Sequence, residues 1–241
     1  EDEALLVLNK PAGLVCHPTK GDERSSLVGR LRLAYGADHK VHLLNRLDRE
    51  TGGLVLLAKG DVAARELRRV LEGGQITKEY AAIVAGWPEA DDGSMEGPVG
   101  LAEASEVAIR RGVRADGKRA RTDYSVARRF ERPEGRFALL DLMPRTGRTH
   151  QIRVHLAALG HPIVGDKIYG PDERLFIHFT RRELTGEQRA SLLLPCQALH
   201  ARRLSFEWRG RGWDFVAEPE VWFTGFVAGA PVDVDWAEAY V

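Results

Sequence analysis

A lone carboxylate, Asp48, lies between Arg46 and Arg49 in the stretch VHLLNRLDRETGGLVLLAKG, residues 41–60. In an extended segment residues two apart share a face, so Arg46 and Asp48 project together while Leu47 points into the core and anchors the loop. A guanidinium nearby favours the ionised form of a carboxylate. An ionised carboxylate suits a nucleophile or a base rather than a proton donor. An aspartate in a turn is also an ordinary structural residue. The loop by itself leaves both readings open.

Other candidate chemistry is sparse. GVRADGKR (Gly112 to Arg119) approaches the phosphate-binding G-x-x-x-x-G-K-[ST] but ends in arginine, and the following ARTDYSV reads as strand. A phosphate loop needs a helix N-terminus there, so a turn within a basic hairpin is the expectation. Cys16 and Cys196 lack the paired spacing of a zinc site and read as buried or idle thiols of a reducing cytoplasm. Neither a G-x-S-x-G elbow nor H-E-x-x-H occurs. No metal is expected.

The elements that must position these residues follow from apolar runs and their stops. ALLVLNKPAG reads as a strand ended by Pro11 and Gly13, and VHLLN and LVLLA as two more joined by RLDRETGG. LVLLA is apolar throughout, as in a strand covered on both faces. DVAARELRRVLEGG reads as a helix with Asp61 at the N-cap, Gly73 past its end, and Val62, Leu67, Val70 and Leu71 on one side. KEYAAIVAG alternates, with Lys78, Tyr80, Ala82 and Val84 on one face. RFALLDLMP and ALHARRLSFEWRG supply further strands. THQIRVHLAALGH reads as a helix with Thr149 as N-cap, Gly160 at its C-terminal end and a stripe of Ile152, Leu156 and Leu159.

This pattern makes an α+β chain, and residues 1–241 read as one domain with many strands and few helices. Apolar residues make up 44% and charged residues 29%, an ordinary globular composition. The longest apolar run near the opening is too short to span a bilayer, so no membrane partner is expected. The chain opens EDE, unlike a secretory signal. The 35 basic and 35 acidic residues balance, yet unevenly. Residues 110–129 hold eight Lys/Arg against Asp116 and Asp123, whereas the segment from Trp213 onward has six acids and no Lys or Arg. A polyanion partner is compatible with that local patch, as is a merely solvated basic hairpin.

Five stretches in order resemble the RluA-type pseudouridine synthases. HLLNRLDRETGGLVLLAK is similar to that family's H-R-L-D-x-x-T-S-G-L-x-L-x-A-K signature, and NKPAGLVCHP to the lysine–proline segment before it. KEYAAIVAG resembles the K-x-Y-x-A-x-V-x-G strand, and LHARRLSF the closing strand. TGRTHQIRVHLAALGHPIVGDKIYG follows the family run almost letter for letter. Together these span roughly residues 3 to 206.

The resemblance implies the pseudouridine synthase fold, with a mixed, mostly antiparallel central sheet flanked by helices and loops. It also implies an isomerase that cuts the bond between uracil and ribose, turns the base and rejoins it through carbon, with no cofactor or metal. Asp48 falls on the essential aspartate, Arg153 on the arginine that pairs with it, and Tyr80 on the ring that stacks on the target base. Arg46 matches the arginine that takes the place of the extruded uridine. Arg148, His150 and Gln151 fall where RNA or active-site contacts are expected, and Lys118 and Arg119 belong to the basic hairpin. His150, His155 and His161 read as structural or RNA-contacting.

Two letters depart from the family: Asn45 stands where its histidine is usual, and Gly52 where its serine is. No S4-type RNA-binding domain is recognisable in the chain. The expectation is a cytoplasmic, monomeric RNA pseudouridine synthase acting on structured ribosomal or transfer RNA. A catalytically inactive RNA-binding protein on the same fold is the rival reading. An aspartate-based glycoside hydrolase, with Glu50 as its acid, is a remote third.

Overall fold

The apolar runs bounded by glycine and proline do become strands. In chain order the computed structural model contains β1 (Leu5–Lys10), α1 (Leu27–Tyr35), β2 (Val41–Leu43), β3 (Gly52–Lys59), α2 (Asp61–Glu72) and β4 (Ile76–Ala85). Then come β5 (Asp92–Glu96), β6 (Val99–Leu101), β7 (Arg111–Val113), β8 (Arg121–Arg132), β9 (Gly135–Pro144) and α3 (Gln151–Ala158). The chain closes with α4 (Arg174–Arg181), α5 (Gly186–Leu192), β10 (Leu199–Trp208), β11 (Arg211–Val216) and α6 (Val221–Ala228). The structure describes residues 1–18, 23–36, 40–231 and 236, so the acids Asp233, Asp235 and Glu238 lie outside the described residues. Among the described residues no helix is long and apolar enough to cross a membrane. The fold is α+β, with mostly antiparallel sheet flanked by helices.

The chain forms two compact units, one of residues 1–79 and 200–220, the other of residues 80–199 with the segment from Val221 onward. In the first, β3 is the centre. It pairs antiparallel with β1 along one edge, from Leu5 opposite Ala58 to Lys10 opposite Gly53. The other edge is shared: β2 pairs with Leu57–Lys59, and β10 runs parallel beside Gly52 and Gly53. Val55, Leu56 and Ala58 are fully buried, as an all-apolar strand covered on both faces requires. Leu5, Leu54, Leu56 and Ala58 cluster with Leu204, Phe206 and Trp208 of β10 and with Ala63, Ala64 and Leu67 of α2.

α2 begins one residue earlier than the sequence suggests. Gly60 occupies the N-cap position, and Asp61 instead bonds Lys40 and His42. Val62 is exposed, so the buried side of α2 is Ala63, Ala64 and Leu67 rather than the Val62 stripe.

The second unit stacks β4, β9, β8 and β5 as an antiparallel sheet, with a bulge in β8 between Val126 and Arg128. The basic segment is not a hairpin. β7 pairs with β6 in a separate two-stranded sheet, while β8 pairs with β5 and β9. The run ARTDYSV is strand, as expected. α3 carries six consecutive buried residues, Gln151 to Leu156. Ile152 and Leu156 join the core of the main sheet, whereas Val154 joins a second cluster with Val99, Val107, Ile168 and Tyr169. Leu159 is exposed, so the expected stripe ends at Leu156. Thr149 does not cap this helix. His150 holds the N-cap position in a left-handed conformation, φ 57° and ψ 16°, and Leu159 rather than Gly160 is the C-cap.

Candidate active site

The loop bearing Asp48 leaves the sheet for a physical reason. The Leu44 amide still donates to Leu56 of β3, but β10 occupies that same edge at Gly52 and Gly53. Residues 46–51 therefore have no ladder to join. Asn45 closes the gap: its Oδ1 accepts from the Leu56 amide at 2.7 Å and its Nδ2 donates to the Leu54 carbonyl at 3.2 Å. The side-chain amide continues the ladder as a peptide group would.

Beyond it Arg46 is exposed, Leu47 buried and Asp48 half-buried, the alternation that the loop sequence predicts. Cys16 Sγ donates to the Leu47 carbonyl, and the Thr51 amide donates to the Asp48 carbonyl at 3.2 Å. Arg49 turns away toward Gly13, exchanging Nε to carbonyl at 3.0 Å and amide to carbonyl at 2.9 Å. Buried Lys10 donates to the carbonyls of Pro11, Leu14 and Arg49, tying the two loops together. At Gly53, φ is +110° and a Cβ would lie 2.3 Å from the Ala201 carbonyl oxygen, so only glycine fits.

Gly52 is different: a Cβ there would lie 3.0 Å from Glu220 Oε2 and 3.2 Å from His200 Nδ1. Burial pushes the His200 imidazole below its ordinary value, although its bond to the Ala217 carbonyl opposes this. His200 is thus neutral near pH 7, with Nε2–H given to Ala217 and Nδ1 left as an acceptor.

In the other unit, Arg153 projects from the first turn of α3 and is 6% exposed, so it is no helix-surface cation. Its Nε and Nη2 grip Asp166 at 2.7 and 2.8 Å in a two-pronged pair. Burial raises the Asp166 carboxyl, but Arg153 and the amides of Ile168 and Tyr169 outweigh it and hold it below the usual carboxylate range. Tyr80 is half-buried on β4, opposite Leu142 of β9, and packs against the sheet core. Gln151 is 4% exposed and its amide is used inside the protein. Its Oε1 accepts from Thr146 Oγ1 and the Arg148 amide, and its Nε2 donates to the Arg121 carbonyl and Thr122 Oγ1. Its place is beneath the Thr146–His150 turn, which it shapes. Thr122 in turn bonds His155 Nδ1, whose Nε2 meets the Gly97 carbonyl, so His155 is structural.

The basic segment is less bare than its composition suggests. Arg110 pairs with Glu173, Arg114 with Glu103 and Asp116, Arg121 with Glu96 and Asp123, and Arg129 with Asp91. Lys118 and Arg119 are exposed and form no ion pair with any described residue. The Arg119 carbonyl accepts from Nε of exposed Arg148 at 3.1 Å, so Lys118, Arg119, Arg148 and the His150 turn form one rim.

Sequence reasoning missed Asp166, Tyr169 and Lys78. Asp166 and Tyr169 stand in GDKIYG, whose letters carry no local signal of an ion pair with α3, and Lys78 precedes Tyr80 by two on the same strand face. Burial pushes the half-buried Lys78 ammonium below its ordinary value. Among the described residues no group of three or more His, Cys, Asp or Glu could hold a metal ion.

A family profile described as RNA pseudouridylate synthase matches residues 4–158. An uncharacterized RNA pseudouridine synthase of Chloroflexus aurantiacus is 41% identical over 73% of this chain and 55% of its own length. The ribosomal large subunit pseudouridine synthase D of Vibrio cholerae is 38% identical over 86% of this chain and 61% of its own. Among solved structures, human RNA pseudouridylate synthase domain containing 4 superposes with a TM-score of 0.72, at 26% identity, over 95% of this chain and 90% of that one. The chain thus spans little more than half the length of such curated relatives.

Proposed function

We propose, from the premise that this chain belongs to the RNA pseudouridylate synthase family and is of the RluA type, that it isomerises uridine to pseudouridine in RNA. Asp48 is the catalytic carboxylate, acting on the sugar carbon or on a sugar proton while the uracil–ribose bond breaks. Tyr80 offers a flat face to the freed base, which turns and rejoins the ribose through carbon. Arg46 fills the place of the extruded nucleotide, since a planar cation can stack where a base was. Arg153 completes the catalytic set, and no cofactor or metal enters the reaction.

The observation that carries this reading is the loop itself. Arg46 is exposed and Asp48 half-buried on either side of the buried Leu47 anchor, on a segment that β10 expels from the sheet. Lys118, Arg119, Arg148 and His150 supply contacts to the RNA backbone. Gln151 serves by shaping their turn. The substrate is a structured RNA, and the name of the Vibrio relative makes large-subunit ribosomal RNA the first to test against transfer RNA. The two units act as one catalytic domain of a cytoplasmic monomer. Asn45 and Gly52 leave the loop's exit intact, which favours an active enzyme over an inactive binder.

The test is Asp48→Asn assayed on ribosomal and transfer RNA transcripts. Folding and RNA affinity should persist while pseudouridine formation ends. Turnover surviving in this variant would overturn the assignment.

A further inference from the structure

α2 carries more positive charge than its fold requires. Its exposed arginines Arg65, Arg68 and Arg69 form no ion pair with any described residue. Arg69 neighbours Arg65, four back on the helix surface, where like charges are unfavourable, and Glu66, three back. The Glu66 carboxylate is already taken: Oε2 accepts from Trp208 Nε1 at 3.1 Å and from Arg209 Nε at 2.9 Å. Asp61 is taken by Lys40 and His42, which leaves exposed Glu72 against three arginines. The Glu66 bonds join the cationic side of α2 to the turn between β10 and β11.

That turn presents rings. Trp213 and Phe215 are half-buried on β11 and stack at 5.9 Å and 20°. Phe206 of β10, opposite Trp213 in register, stacks on it at 6.5 Å and 18°. The guanidinium of exposed Arg211 rests on the Trp213 ring, 4.2 Å from its centroid, and has no ion pair with any described residue. Side chains two apart on a strand share a face, so Arg211, Trp213 and Phe215 stand together on the face that packs with α2. Glu207 and Asp214 fall on the opposite face, where Arg203 holds Asp214. A planar cation seated on a half-buried indole, with further arginines beside it, suits an unpaired nucleobase and its phosphates. An acidic peptide would use the cations and leave the flat stack without a purpose.

The patch is remote from the reacting loop. β10 passes Gly52 and Gly53, where that loop ends, at His200 and Ala201. It reaches Trp208 at its far end, roughly 25 Å along the strand. We infer that the β10–β11 turn and the adjoining side of α2 form a second RNA-contact surface, on which an unpaired nucleotide remote from the target uridine stacks against Arg211 and Trp213 while Arg65 and Arg69 take flanking phosphates. The inference rests on the reading of the chain as an RNA-modifying enzyme. It gives this surface a share in affinity and in the choice among RNAs, and no part in the chemical step.

Arg65, Arg69 and Arg211 are exposed, so replacing all three by glutamine should leave thermal unfolding unchanged. On a large-subunit ribosomal RNA transcript the triple variant should raise KM about tenfold or more at the same kcat. With single-stranded decauridylate its slope of log affinity on log salt should fall by about 2. Trp213→Leu, which keeps an apolar side chain in place, should weaken decauridylate binding roughly tenfold. The same change should leave the affinity for an abasic sugar–phosphate chain of equal length unaltered, because stacking needs bases. A triple variant with the wild-type KM and salt slope would overturn the inference, as would a Trp213→Leu variant that weakens both oligomers alike or neither. A wild type that modified no RNA but bound decauridylate with these dependences would defeat the functional reading and leave the surface standing.

Discussion

Removing Asp166 tests the buried ion pair with Arg153 most directly. The carboxylate has no exposed surface, and its partner Arg153 is 6% exposed. Asp166→Ala deletes two charge-assisted bonds, at 2.7 and 2.8 Å, and the acceptor for the Ile168 and Tyr169 amides at 2.9 and 3.0 Å. Breaking a buried pair by removing one partner costs about 3–5 kcal/mol. Each stranded amide adds on the order of 1 kcal/mol. These costs overlap, because one side chain supplies all four bonds. The expectation is about 4–6 kcal/mol, against a total stability of about 5–15 kcal/mol for a domain. Asp166→Asn keeps the shape and one acceptor but loses the charge, so about 2–3 kcal/mol is expected. Urea unfolding at pH 7, followed by circular dichroism, measures both. An Asp166→Ala variant within about 1 kcal/mol of the wild type would refute the account.

The same pair has a pH signature. Burial raises the Asp166 carboxyl, yet Arg153 and the two amides bring it below its ordinary value. A carboxylate with a depressed native pKa stabilises fully above its unfolded value of about 4, and loses that contribution as pH falls through the native value. The stability gap between wild type and Asp166→Asn should therefore stay level from about pH 5 to 8 and narrow in acid. A gap that widened on acidification would mean that the charge of Asp166 is not what holds Arg153.

Four further expectations concern the loop and the rim. Gly53→Ala puts a Cβ 2.3 Å from the Ala201 carbonyl oxygen at φ +110°, so thermal unfolding should show a loss of about 3 kcal/mol or more. Gly52→Ser meets only the carboxylate end of Glu220 at 3.0 Å and the His200 ring at 3.2 Å, so it should cost less than about 1 kcal/mol and keep activity. Asn45→Ala strands the Leu56 amide and the Leu54 carbonyl, and should cost about 1–3 kcal/mol, with faster hydrogen exchange at Leu56 as its local readout. Neutralising Lys118 and Arg119 together should weaken RNA binding and lower the slope of log affinity on log salt by about 1.5–2, measured by filter binding. An unchanged slope would remove these two cations from the interface.

The strands and the loop were legible because their signals are local. LVLLA is apolar at every position, and Leu47 lies between two charged neighbours, so burial of one and exposure of the other follow from side-chain alternation alone. What failed was governed by distant neighbours. β7 pairs with β6 instead of β8, because Gly100 and Gly112 of those two strands lie opposite each other and Val99 exchanges backbone bonds with Lys118. Local turn signals around Asp116 and Gly117 do not reveal that choice. Asp61 was drawn away from capping by Lys40 and His42, twenty residues upstream or so, and His150 took the cap position of α3 in a conformation that sequence disfavours. The positive charge of residues 110–129 is partly offset by neighbours that local sequence does not reveal, since Glu173, Glu103, Glu96 and Asp91 reach it from outside the segment.

The two departing letters of the loop, Asn45 and Gly52, belong to the same edge of β3. At one end of the gap between β2 and β10, Asn45 offers one donor and one acceptor to the strand, at 3.2 and 2.7 Å. A neutral imidazole also carries one donor and one acceptor, so the change from histidine keeps the kind of bond that releases the loop. At the other end, Gly52 lacks a side chain where Glu220 and neutral His200 close in, and Glu220 Oε2 accepts the Ala12 amide at 3.2 Å. The carboxylate thus tethers the Pro11–Gly13 turn to the strand end at the place where a serine hydroxyl would otherwise sit. Both departures alter the scaffold behind the loop.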